Sequence, residues 1–156
     1  MERWSGSQIE GTLDRDDEPT FRVVIIYEDG STGRRAKLFY DKLIHKLEGE
    51  CAFSLQLWSF QVLAIPEIRE SAADWVAQAD FVIVSLHGKV GLPASMREWI
   101  ETWSGKIFDR GPALVALVDK STAWGGRNAV TLAYLRGVAQ TNRVTFLGHT
   151  FFTDKN

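Results

Sequence analysis

Three short stretches of this 156-residue chain combine flexible residues with groups able to hold a ligand, and each follows a short apolar run. The first is Gly30-Ser31-Thr32-Gly33, followed directly by Arg34 and Arg35. A Gly/Ser/Thr turn running straight into a helix aims backbone N–H groups and the positive end of the helix dipole at one point, which suits an anion. Arg34 or Arg35 would add charge-assisted bonds, whereas Glu28 and Asp29 just upstream repel a phosphate. An ordinary turn with Ser31 or Thr32 as the helix N-cap explains the same residues without a ligand. The second stretch is Ser85-Leu86-His87-Gly88. The third is Ala123-Trp124-Gly125-Gly126, where glycines let a flat molecule approach the backbone and Trp124 serves as a stacking platform or as a loop anchor.

Covalent catalysis has weaker support. Ser85, His87 and Asp119 all fall at strand ends, as the members of a hydrolytic triad would. Ser85 and His87 are only two apart on an extended segment, however, and no G-x-S-x-G elbow is present. No residue is singled out as a general acid or base. His45 falls on the polar side of a helix and His149 follows the last strand, where solvent exposure explains both. Cys51 is the lone cysteine, so no internal disulfide is available, and no Cys/His cluster has zinc spacing.

The bulk composition narrows the partners. A formal charge of −2 with scattered Lys and Arg leaves no basic face for nucleic acid. No apolar run approaches the roughly 18 residues of a membrane span, and the N-terminus lacks an apolar signal core, so a cytoplasmic protein is expected. The 45% hydrophobic and 24% charged content is that of a soluble globular chain.

The elements that must position these stretches follow from periodicity. Residues 1–20 lack it and are expected to form a solvated arm, with the domain spanning 21–156. From Phe21 short β-branched runs alternate with helical segments through five cycles, as in repeated βαβ units. Strands are predicted at Phe21–Tyr27, Phe53–Trp58, 81–86, 113–118 and Arg143–Leu147. The first and fourth are apolar on both faces and belong mid-sheet, while the second and fifth alternate as edges do. Helices are predicted at about Gly33–Leu47, from Pro66 to Asp80, from Pro93, and over about Asn128–Gln140. Trp75, Trp99 and Trp103 fall at core spacing on two of them. The fold class is therefore a doubly wound α/β domain with a five-stranded parallel sheet, for which the order 2-1-3-4-5 is chosen.

The three loops, taken in order, resemble those of the flavodoxin family. Thr32-Gly33 matches the centre of that family's Thr/Ser-x-Thr-Gly-x-Thr phosphate loop, although Gly30 and Arg35 stand where hydroxyl residues are usual. Ser85 and Leu92-Pro93-Ala94 keep the separation found in flavodoxins and the similar NADPH-dependent FMN reductases. Leu86 and Gly88 replace the usual Pro and aromatic, so the ring that covers one face of the isoalloxazine in that family is either supplied by His87 or missing. Ala123–Gly126 is similar to the Gly-Trp-Gly stretch whose Trp stacks on the flavin.

The resemblance covers residues 21–152. It implies FMN, with its phosphate on Gly30–Arg34 and its ring between Ser85–Leu92 and Lys120–Gly126, beside Trp58–Phe60. It further implies an oxidoreductase in electron or hydride transfer, with a redox partner or a nicotinamide nucleotide. Pairing into homodimers is a further expectation, with Phe151-Phe152 packing on a neighbour or on its own sheet. The departures from the motif support an alternative, a degenerate flavodoxin-like domain without cofactor that acts as a binding module. A receiver domain would share the strand order and welcome Glu28-Asp29, but has no Asp at Ser85–His87 to accept a phosphoryl group.

Overall fold

A computed structural model describes residues 20–46, 52–87, 92–104, 112–119 and 127–151. Its elements run β1 (Thr20–Tyr27), α1 (Gly30–Lys46), β2 (Ala52–Ser59), α2 (Phe60–Leu63), α3 (Pro66–Ala77), β3 (Phe81–Leu86), α4 (Ala94–Ser104), β4 (Ala113–Asp119), α5 (Arg127–Thr141) and β5 (Phe146–Phe151). All four strand pairings are parallel and the order is β2-β1-β3-β4-β5, as expected from the sequence.

The central strands show why. Val23 to Ile26 are buried without interruption, as are Val82 to Leu86 and Leu114 to Asp119, because helices cover both sheet faces there. Each fully buried Val, Leu or Ile contributes about 1.5–3 kcal/mol relative to its exposed state. One core joins Val24, Ile26, Val84 and Ala116 to α3, α4 and α5. The other joins Val23, Ile25, Ile83, Val115 and Leu117 to Ala36 and Tyr40 of α1. Right-handed crossovers impose this division: the chain moves one way from β1 to β2 and the other way thereafter, so the helices change face.

Of the three tryptophans placed at core spacing, two are buried and one is not. Met96, Trp99, Ile100 and Trp103 are buried on α4, the two indoles pack edge to face at 5.8 Å, and Trp99 Nε1 donates to Arg69 O across to α3. Trp75 is 38% exposed, because Ala72 and Val76 fill the contact with the sheet that its spacing suggested it would share. The short α2 was not expected. Ser59 starts it by accepting a bond from Val62 N at 3.1 Å.

The fifth strand lies later than predicted, and the end of α5 explains the shift. Arg143 has φ 59°, Arg143 N bonds Gln140 O, and Val144 N bonds Ala139 O at 3.0 Å. This paired pattern closes a helix with a left-handed residue just past its end. It consumes Arg143 and Val144, so pairing with β4 begins only at Phe146. With Arg rather than Gly in the left-handed position, the sequence hid the stop.

Candidate functional site

In a parallel sheet the strand ends face a common rim, and here a polar or charged residue in reach of α1 lies at or within one residue of the end of β1, β3 and β4: Glu28, Ser85 with His87, and Asp119. Only Glu28 and Asp29 join β1 to α1, which begins at Gly30 rather than Gly33. Asp29, not Ser31 or Thr32, caps the helix: its Oδ1 accepts from Thr32 N at 3.0 Å. Thr32 answers by accepting from Asp29 N at 2.9 Å and Glu28 N at 3.0 Å, and its hydroxyl donates to Asp29 O. The exchange is a capping box in which each partner satisfies the other's backbone donor.

Gly33 is glycine for a packing reason. A Cβ there would lie 3.0–3.3 Å from the Tyr27 ring, tighter than side chains ordinarily pack, so any side chain would push the ring or the helix aside by a few tenths of an ångström.

Behind the cap lies a charged network. Asp119, at the end of β4, has a side chain 3% exposed and accepts from Arg35 Nη1 at 2.7 Å. Arg35 Nη2 donates to Leu86 O and Leu117 O at 2.8 and 2.9 Å, tying α1 to the ends of β3 and β4. Ser85 Oγ, wholly buried, donates to Thr32 O at 2.8 Å and accepts longer bonds from Arg35. His87 completes the network from the β3 end. Its Nδ1 lies 2.8 Å from Asp119 Oδ2, its Nε2 lies 2.8 Å from Asp29 Oδ2, and its backbone N donates to Glu28 Oε1. Ser31 Oγ donates to Asp29 Oδ1 at 3.0 Å and stands 3.4 Å from His87 Nε2.

An imidazole with a carboxylate on each nitrogen donates twice and so favours its charged form. Partial burial acts to lower the His87 pKa, but hydrogen bonds to Asp119 and Asp29, with their charges, raise it overall. Burial likewise works against ionised Asp119, yet the bonds and charges of Arg35 and His87 hold its carboxyl below the usual range. For Asp29 the opposing burial is outweighed by bonds from Thr32 N, His87 and Ser31, which bring it down to about 2.

The structure therefore brings together Ser31, Thr32, Arg35, Ser85, Leu86 and His87 from the sequence-derived set. It separates their roles from those foreseen. Arg35 turns inward to Asp119, while Arg34 is exposed and passes over Gly30. Leu86 lies in the core beneath the rim and contributes its carbonyl oxygen. Trp58 is half-buried against the α3–α4 core. Gly88, Trp124, Gly125 and Gly126 lie outside the described residues. The triad of Ser85, His87 and Asp119 does not assemble as a nucleophile and base, since Ser85 Oγ is committed to Thr32 and Arg35. Asp29 and Asp119 were underrated as site residues. The available signal was the charged residue terminating an otherwise apolar parallel strand or following it.

The sheet order, its all-parallel pairing and the polar rim define a doubly wound α/β protein with the flavodoxin-like fold. Among solved structures the chain is similar to the Trp repressor binding protein from Bacillus subtilis. The TM-score is 0.52 at 10% identity, over 86% of this chain and 84% of that one. At that identity the likeness shows the fold alone. No protein-family model and no curated protein matches the chain. Among the described residues no helix is long and apolar enough to cross a membrane, and no group of three or more His, Cys, Asp or Glu could hold a metal ion.

Proposed function

We propose that this flavodoxin-like chain is a binding module whose rim takes an uncharged or cationic group, and that it does not hold FMN by a phosphate at α1. One observation carries this reading: the Asp29 carboxylate occupies the helix N-terminus where a phosphate would sit. Thr32, whose hydroxyl and N–H the flavodoxin motif would turn toward phosphate, is 1% exposed and has both groups bonded to Asp29. The described residues of this loop do not fit a dianion. Glu28 and Asp29 flank it, Arg35 is neutralised by Asp119, and only Arg34 extends outward. The exposed Asp29 and Ser31 instead offer acceptors to a ligand that brings hydrogen-bond donors or positive charge.

The test is a titration of the purified chain with FMN, followed by tryptophan fluorescence and visible absorption. The expected result is no saturable quenching at micromolar FMN. Saturable quenching abolished by Trp124→Ala would overturn the proposal and move the chain to flavin-based electron or hydride transfer, with a redox partner or nicotinamide nucleotide to be sought.

A further inference from the structure

Helices α4 and α5 both run back from the strand-end rim, one after β3 and the other after β4, so their last turns lie toward the opposite end of the parallel sheet. Between them opens a groove of about 510 Å³, a volume that suits a small molecule. Its α4 side is Glu101, three residues before that helix ends. The α5 side presents Ala133, Tyr134, Gly137 and Val138 at helical spacing, then Asn142 just past the last turn. The Tyr134 hydroxyl donates to Glu101 Oε2 at 2.7 Å and bridges the two helices.

The groove is electronegative over an apolar floor. Glu101 is the charged member of its lining. A carboxylate has about four acceptor positions, so the bond from Tyr134 leaves it able to take further donors. Burial, then the hydrogen bond and charge of Glu101, raise the Tyr134 pKa against the opposing charge of Arg97, so the phenol keeps its proton and presents an oxygen lone pair beside the carboxylate. Asn142 spends Nδ2 on Val138 O at 2.9 Å, which leaves Oδ1 as another acceptor. Neither α4 nor α5 has a basic residue in its last turn, where one would offset the negative end of the helix dipole. The described arginines of this region lie outside the lining: Arg97 a turn back on α4, Arg143 in the turn that ends α5, and Arg136 with its guanidinium 5.3 Å from the Phe146 ring.

Gly137 opens the floor. It sits in the interior of α5, where glycine is less stable than alanine, and a Cβ built on it meets nothing within 4 Å. Packing does not ask for a glycine there, in contrast to Gly33, and a side chain at this position would occupy the groove. We infer that the α4–α5 groove binds a small aliphatic amine as its ammonium ion, which donates to the Glu101 carboxylate and the Tyr134 oxygen while its carbon chain lies over Ala133, Gly137 and Val138. Gly137 sets the depth of the site, and the helix forgoes stability at that position to keep room for the ligand. The groove is separate from the rim, which lies at the other end of the strands.

Hexylammonium, titrated into the isotope-labelled full chain with hexanoate and hexanol as controls of matched length, tests the site. Saturable amide shifts at Glu101, Ala133, Gly137 and Val138 are expected at millimolar hexylammonium, with both controls weaker by about tenfold or more. Glu101→Gln, which still accepts from Tyr134, should weaken binding by about tenfold. Gly137→Ala should weaken it several-fold and Gly137→Leu should abolish it, with the thermal midpoint of the alanine variant raised, which separates a filled groove from a damaged fold. Absence of saturation, hexanol bound as tightly as hexylammonium, or unchanged affinity in Gly137→Leu overturns the inference. So do shifts confined to Glu28–Thr32, which would put the amine at the rim instead.

Discussion

Replacing Arg35 by Met removes the guanidinium and keeps most of its aliphatic stem, so the change isolates the polar role of the side chain. The guanidinium holds a nearly buried carboxylate at 2.7 Å and two strand-end carbonyls at 2.8 and 2.9 Å. Its loss leaves Asp119 with one described charged partner, His87, and leaves Leu86 O and Leu117 O without that donor. Removing one partner from a buried pair costs about 3–5 kcal/mol, and the surviving His87 bond argues for the lower end, about 3 kcal/mol. With a urea slope on the order of 2 kcal/mol/M, the unfolding midpoint should fall by about 1.5 M.

The companion variant is Asp119→Asn. If Arg35 and Asp119 act as a pair, the double variant should be less destabilised than the sum of the singles by about 1.5–3 kcal/mol. A midpoint shift under about 0.5 M for Arg35→Met at unchanged slope, or strict additivity, would refute the claim that this pair holds α1 to the ends of β3 and β4.

Three further outcomes follow from the same structure. Because the His87 pKa is raised from 6.5, its contribution to stability is complete below that pH and is lost as pH rises through the folded-state value. Urea midpoints should therefore fall more steeply above pH 6.5 for the wild type than for His87→Gln, and parallel profiles would count against the double-carboxylate bridge. Gly33→Ala should destabilise by about 1 kcal/mol, the crowding against Tyr27 exceeding the helix gain, while Gly137→Ala, with nothing within 4 Å of its new Cβ, should stabilise by about 0.5–1 kcal/mol in thermal melts. Arg143→Gly relieves the φ of 59° and should raise stability by about 1 kcal/mol, and a loss would mean that the side chain has contacts outweighing the strain.

The sheet was legible because burial on two faces writes itself as uninterrupted Val/Ile/Leu runs, and RVVIIY, FVIVSL and ALVALV need only their order to be assigned. Boundaries set by hydrogen bonds rather than hydrophobicity were not. The stop after α5 lies in a left-handed Arg143, and the start of α1 lies in an Asp29 read as a charge hostile to phosphate rather than as a cap. That the rim gathers Gly30–Arg35 and Ser85–His87 was legible, since strand ends and small residues mark those stretches. Its wiring was hidden, because Arg35 and Asp119 lie far apart in sequence and meet only when α1 packs over β1 and β3 and the Arg35 side chain reaches the end of β4. Gly33 was seen as the glycine of a phosphate loop. A glycine that lets α1 lie close to the Tyr27 ring leaves the same letter in the sequence.

The positive end of α1 can serve one anion at a time, and its own chain supplies one at no cost in association entropy. To seat a phosphate there, Asp29 must leave Thr32 N, Ser31 Oγ and His87 Nε2 together. The cap is worth about 0.5–2 kcal/mol and the charge-assisted bond to His87 about 1.5–3 kcal/mol. An incoming phosphate thus forfeits roughly 2–5 kcal/mol before its own contacts count, a factor of about 30 to several thousand in affinity. Displacement also leaves His87, whose charged form its carboxylate partners favour, beside a new dianion, which would regain part of that loss. The balance turns on how firmly Asp119 and Glu28 hold His87 in place, so if the rim binds a ligand as proposed, the residues that bind it together would also decide which charge it admits.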